Sequence, residues 1–131
     1  MAKKVILSSL LFCLGTIYSF GQTVGGDKDK HGCLASAGYT YSTLSKKCIR
    51  VFEQALKLDN AFLKQSSTSQ TCILFSKDTK KAEIFVAGKE GTVLDRFGAK
   101  GHYLWKNGGY VVGNTNGYYI KKDGVLIYRQ K

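Results

Sequence analysis

From Ala55 onward the chain is cut at short intervals by turn chemistry. Lys77-Asp78-Thr79-Lys80, Gly88-Lys89-Glu90-Gly91, Gly98 to Gly101, Asn107-Gly108-Gly109, Asn114 to Gly117 and Asp123-Gly124 separate short runs rich in β-branched and aromatic residues. Asp-Gly is a two-residue hairpin signal, because both positions tolerate the left-handed backbone that matches strand twist. Strands are therefore expected at Ala55–Leu58, Cys72–Ser76, Ala82–Ala87, Thr92–Phe97, His102–Trp105, Tyr110–Val112, Tyr118–Lys121 and Val125–Tyr128. Short strands spaced about 8–12 residues apart imply an antiparallel meander. Roughly six or seven of them would curl into a half-open sheet or a small barrel.

Upstream the apolar pattern changes period. Leu44, Cys48, Val51 and Phe52 recur at a spacing of about 3–4, which gives a helix one apolar face. Ser42 is suited to cap that helix near Thr43, and Lys46, Lys47 and Arg50 fall on its other faces. The helix is expected to end near Gln54. The expected fold class is thus α+β: one N-terminal helix packed on a 6-7-stranded antiparallel β-meander, covering one face or plugging one end.

The first residues carry the parts of a secretion signal. Lys3 and Lys4 form a basic start, Val5 to Ile17 is mostly apolar, and Ser19-Phe20-Gly21 suits cleavage before Gln22. The apolar run is too short for a membrane span, which needs about 20 residues. The domain plan is therefore residues 1–21 as signal peptide, 22–31 as a flexible leader with Gly25-Gly26 and alternating charge, and 32–131 as a single domain. Export to the periplasm or the exterior follows. Anchoring as an outer-membrane lipoprotein would need lipidation at Cys13, and the bulky Phe12 before it disfavours that, so membrane association is expected only if Cys13 is lipidated.

Removing residues 1–21 from the 131 leaves 110, enough for one domain. Removing Lys3 and Lys4 from 20 basic residues leaves 18 against 9 acidic, a net charge near +9. Such a charge speaks to partners rather than to fold. Outside the cytoplasm it suits lipid head groups, lipopolysaccharide, acidic glycans and extracellular DNA.

Cys33, Cys48 and Cys72 remain after cleavage. Exported thiols pair, and three cysteines allow three single pairings. The pairing chosen is Cys33–Cys48, whose loop of about 15 residues would contribute roughly 3 kcal/mol. Cys72 lies in the apolar run Thr71-Cys72-Ile73-Leu74-Phe75 and is expected to be a reduced core thiol, with pairing to Cys33 or Cys48 as the alternative.

The chemistry-bearing residues form no catalytic motif. His31 and His102 lack a nucleophile context, the carboxylates are scattered, and the histidines and cysteines lack metal-ligand spacing, so no enzyme, cofactor or metal is expected. Aromatic residues and lysines crowd the last thirty positions. Tyr103, Trp105, Lys106, Tyr119, Lys121 and Lys122 are the candidate ligand-binding residues, as a stacking platform with a basic rim. Alternation along the strands puts Tyr118 and Tyr119 on opposite faces, so part of this aromatic set belongs to the core. No recognisable nucleic-acid-binding motif is present, and specific nucleic-acid recognition is not expected.

Gly32-Cys33, Ser36-Ala37-Gly38-Tyr39-Thr40-Tyr41, Cys48-Ile49-Arg50 and Phe52-Glu53 resemble a block of small exported or lipid-anchored proteins of Bacteroidetes-type bacteria, as do Phe75-Ser76-Lys77-Asp78, Ala82-Glu83-Ile84-Phe85 and Trp105-Lys106. The likeness covers roughly residues 31–128, and the chain departs at Tyr41, where that group favours tryptophan. It implies export and a single domain, and carries no activity. Size, export, a disulfide and a β-meander are also similar to the small β-barrel inhibitors of lysozyme, although a basic chain would be repelled by basic lysozymes. Three functions are thus in view: a non-enzymatic binding module for an anionic surface, polymer or protein partner; a hydrolase inhibitor working through Gly98–Gly101 or Asn107–Gly109; and a small hydrolase built on His102 and a carboxylate.

Overall fold

The computed structural model describes residues 27–61 and 71–130. The expected signal peptide, Cys13 and the start of the leader lie outside the described residues. Eight strands form a closed antiparallel barrel: β3 (Leu56–Asn60), β4 (Thr71–Phe75), β5 (Lys81–Phe85), β6 (Thr92–Phe97), β7 (Leu104–Asn107), β8 (Tyr110–Asn114), β9 (Tyr118–Lys122) and β10 (Val125–Arg129). Each pairs with its sequence neighbour, and β10 returns to β3 with Tyr128 opposite Asn60 and Arg129 opposite Asp59. Closure removes the unpaired edges that an open meander would present. This corrects the expected six or seven strands to eight.

The barrel interior is packed with side chains. Leu58, Ile73, Ala82, Ile84, Leu94, Trp105, Val112 and Ile120 are buried there, with Phe75, Tyr103, Tyr110, Tyr118 and Tyr128 against them. An eight-stranded barrel is just wide enough for side chains to fill. At the end bearing the β4–β5 and β6–β7 turns, the rings of Phe75 and Trp105 meet at 5.0 Å and those of Tyr103 and Trp105 at 6.4 Å. Trp105 Nε1 donates to the Thr79 carbonyl at 2.9 Å. Arg96 closes this end, with its guanidinium 4.1 Å from the Tyr103 ring centroid and Nη1 donating to Thr79 Oγ1.

The expected N-terminal helix is replaced by a hairpin, β1 (Tyr39–Ser42) with β2 (Lys47–Arg50), followed by one helical turn, α1 (Val51–Gln54). The physical reason lies in alternation. Ile49 turns inward to a cluster with Val51, Cys72 and Phe85, while Tyr39 and Arg50 stand opposite each other. Ser42 does cap, but it caps a turn: its Oγ accepts from the Ser45 N–H at 3.0 Å. The local 3–4 spacing was real, and tertiary burial of a β-branched residue overrode it.

The hairpin lies on the outer face of β4 and β5. Cys72 and Leu74 point outward into the hairpin cluster, while Ile73 and Phe75 point into the barrel. Phe85 and Glu83 on β5 also point outward, and both are buried. Glu83 is the lock. Its carboxylate accepts from Ser42 Oγ at 2.6 Å, the Thr43 N–H at 2.8 Å and the Leu44 N–H at 3.3 Å. Burying a carboxylate is costly unless its oxygens are satisfied, and here the β1–β2 turn satisfies them.

A third layer covers the hairpin. The Cys33–Cys48 disulfide joins residues whose Cα atoms are 5.5 Å apart. His31 stacks on Tyr41 with ring centroids 3.9 Å apart, and Lys30 bonds Glu90 at 2.9 Å. Asp29 Oδ1 accepts from the N–H groups of His31 and Cys33, and Asp27 from Ser36. These charge-assisted bonds hold all three carboxyls below their ordinary range: Ser36 acts on Asp27, the Cys33 N–H on Asp29 and Lys30 on Glu90. Cys72 is free and buried beneath these layers, and burial pushes its thiol up.

Candidate functional site

The opposite flank of the barrel has no such cover among the described residues. Along β9 the side chains alternate: Tyr118 and Ile120 enter the barrel, so Tyr119 and Lys121 face outward. The register aligns these outward residues into rows. One row runs from Phe97 to Leu104, then past Gly113 to Tyr119, Arg129 and Asp59. The next runs from Asp95 to Lys106, Val111, Lys121 and Leu126. Aromatic and aliphatic surface is thus interleaved with Lys106, Lys121 and Arg129.

Two local features shape this flank. The first is Gly113 in β8: a Cβ placed there would collide with the Tyr119 hydroxyl end and approach Leu104 Cδ2 at 2.9 Å. The missing side chain lets the Tyr119 ring lie down across the sheet, as an aromatic covering a strand glycine does. The second is a bulge in β10. Leu126 pairs with Lys121 but Tyr128 pairs with Ile120, so Ile127 is an extra residue. The bulge turns Tyr128 inward and brings Arg129 beside Tyr119.

Between these side chains and the β8–β9 turn lies a groove of ≈ 340 Å³, lined by Tyr118, Tyr119, Lys121, Leu126, Arg129, Gln130 and the Thr115–Gly117 turn. Lys121 Nζ is 5.5 Å from the Tyr119 ring centroid, within cation–π range. Gln130 is fixed at the rim, because its Oε1 accepts the Tyr118 N–H at 3.2 Å and its own N–H donates to the Tyr118 carbonyl. The Asn114 Oδ1 accepts the Gly117 N–H at 3.2 Å, which shapes the adjoining turn. No acidic side chain lines the groove, and the closest carboxylate in register is Asp59, across Arg129 on β3.

The six candidate residues are divided by the barrel wall. Tyr119 and Lys121 meet in the groove, and Lys106 stands exposed one strand away from Val111. Trp105, only 5% exposed, belongs to the core, and Tyr103 packs beside it under Arg96. Lys122 serves the other barrel end. Its Nζ lies 4.2 Å from the Tyr110 ring centroid and donates to the Gly108 carbonyl at 2.6 Å. The groove residues not expected from sequence are Tyr118, Leu126, Arg129, Gln130 and the Thr115–Gly117 turn. The Asp123-Gly124 turn fixes Lys121 against Leu126 and could have revealed that pair, whereas the bulge that recruits Arg129 leaves no local signal.

The two histidines are apart from this groove. His102 sits in the exposed turn after β6, with its backbone N–H donating to the Ala99 carbonyl. His31 contacts Tyr41 and Glu90 on the covered flank. Among the described residues no group of three or more His, Cys, Asp or Glu side chains is placed to hold a metal ion. No family model, no curated protein and no solved structure matches this chain.

Proposed function

We propose that this chain is a non-enzymatic, exported binding module that contacts an anionic surface or polymer through the flank formed by β7 to β10. The observation that carries the proposal is the groove itself: Tyr119, Lys121 and Arg129 converge on an outward cleft whose lining holds no carboxylate. The strongly positive chain charge supports the same sign of partner. Export is supported by the Cys33–Cys48 disulfide, which suits an oxidising compartment. The test is binding of the purified protein to lipopolysaccharide, peptidoglycan and DNA across a salt series. Affinity that falls as salt rises is the expected result, and absence of salt-sensitive binding to all three would sink the proposal.

A protein partner is the second function with an observation behind it. Phe97 is 54% exposed beside the Gly98–Gly101 turn, an apolar anchor of the sort that inhibitors insert into a target cleft. An inhibition panel of lysozymes and proteases tests this, with a Phe97→Ser variant as control. Inhibition lost in the variant supports it, and no inhibition across the panel removes it.

A further inference from the structure

We infer that the Tyr119 groove takes a saccharide unit bearing a carboxylate or sulfate, with the sugar ring stacked on Tyr119 and the acid group held by Lys121 and Arg129. This rests on the anionic-partner function proposed above and assigns it a site and a ligand class.

Three observations carry the inference. The hydroxyl end of Tyr119 lies over Gly113, so the ring is laid across the sheet, and it lines the groove together with Lys121, whose Nζ is 5.5 Å from its centroid. A flat aromatic face against the C–H face of a sugar ring buries apolar surface at low entropic cost, since tyrosine has few rotatable bonds. The groove is also mixed in chemistry. Leu126 gives it an apolar wall, while Asn116 and Gln130 bring amide groups that can pair with hydroxyls. Finally, two cations adjoin Tyr119, Arg129 opposite it in the same outward row and Lys121 in the neighbouring row, with no carboxylate among the groove-lining residues.

The same features argue against single-stranded nucleic acid as the occupant. Base-stacking grooves place successive aromatics along a strand. Here Tyr118 also lines the groove, but its ring packs on Phe75 and Trp105 in the barrel core, as Tyr110 and Tyr128 pack against that core, which leaves Tyr119 as the stacking ring. The ≈ 340 Å³ volume is at the small end of ligand-sized clefts, which suits a short sugar unit. The charge complementarity selects an acidic sugar over a neutral one.

The experiment is an amide-shift titration of the full exported protein by NMR, using an α-linked galacturonate tetrasaccharide, its methyl-esterified neutral form, an oligothymidylate and vesicles of phosphatidylglycerol. The acidic tetrasaccharide is expected to shift Thr115–Gly117 and Tyr118–Lys121, and to bind at least about tenfold tighter than the ester. Tyr119→Ala should weaken it about tenfold or more, Tyr119→Phe should retain it, and Lys121→Ala should weaken it and flatten its salt dependence. The Phe variant guards against simple misfolding, because it keeps the ring and removes only the hydroxyl. Equal binding by Tyr119→Ala and wild type, or tighter binding of the oligothymidylate or the vesicles, would overturn the assignment. If polyanions bind with shifts confined to other surfaces, the groove assignment fails and the anionic-partner function stands. If no anion binds at all, both fail.

Discussion

The two flanks of one barrel differ in how they treat their outward residues. On β4 and β5 both faces are buried, so Cys72, Leu74 and Phe85 form a second small core beneath the hairpin. On β8 to β10 the outward residues are Tyr119, Lys121, Leu126 and Arg129, and a groove remains open between them. The covered flank is not sealed by apolar contact alone. Glu83, fully buried, fixes the hairpin by three bonds to residues 42–44. A buried polar lock of this sort specifies one docking geometry, because a shifted hairpin would leave a carboxylate unsatisfied. The uncovered flank has the opposite economy: its cations keep their solvent, and its aromatic is positioned by the absence of a side chain at Gly113. The buried polar lock thus lies on one side of the barrel and the proposed recognition site on the other.

The largest break in this asymmetry should come from Glu83. Glu83→Ala leaves the Ser42 hydroxyl and two N–H groups without their acceptor in a buried site, at a cost of about 4 kcal/mol. Urea unfolding checks this, and a loss below about 1 kcal/mol would mean that the lock is dispensable. Next in size, Cys33→Ser and Cys48→Ser should each cost about 3 kcal/mol, with the double variant no worse than either. Additive losses would show that each sulfur acts by packing rather than through their bond. Both kinds of variant should also expose Cys72. The native thiol is buried and held in its protonated form, so it should resist iodoacetamide at neutral pH and become reactive when the hairpin is freed.

The smallest effect is expected from acid. Asp27, Asp29 and Glu90 have folded values below their unfolded ones, so their contribution is present above the unfolded values near 4 and is lost as pH falls through the folded values. All three are exposed, which keeps the effect small. The layer over the hairpin should loosen first below about pH 4, seen as faster hydrogen exchange at Cys33 and Ser36, corrected for intrinsic rate, while barrel amides stay protected. Uniform exchange across both regions would contradict the layered arrangement.

The barrel was far more legible in the sequence than the flank that covers it. Asp123-Gly124 and Asn107-Gly108-Gly109 mark hairpins by local backbone chemistry, and Thr92–Phe97 reads directly as the observed strand. Closure was not legible, since β10 meets β3 across most of the domain and pairing at that distance leaves no local trace. The N-terminal error has a similar origin. Leu44, Cys48, Val51 and Phe52 satisfy a helical period, but Ile49 is the residue that tertiary packing buries. Glu83 looked like one scattered carboxylate among nine, because its partners lie some forty residues upstream. Of the residues that line the groove, Tyr119 and Lys121 were among the candidates read from the sequence. Arg129 was hidden by the bulge at Ile127, without which Tyr128 would have stood opposite Tyr119.

The asymmetry between the flanks is tested most directly by making one substitution on each side. Gly91 and Gly113 are both crowded by side chains, Glu83 in the first case and Tyr119, with Leu104 Cδ2 behind it, in the second. The Glu83 carboxylate is pinned by three bonds and cannot yield, whereas the Tyr119 ring can swing outward. Thermal melting and polyanion binding of Gly91→Ala and Gly113→Ala should be measured side by side. Gly91→Ala should lose about 1–3 kcal/mol and melt at least about 5 °C lower, with the folded protein binding as before. Gly113→Ala should melt within about 3 °C of wild type and lose most of its binding. The reverse pattern, with stability lost at Gly113 and binding lost at Gly91, would contradict the division of labour between the two flanks.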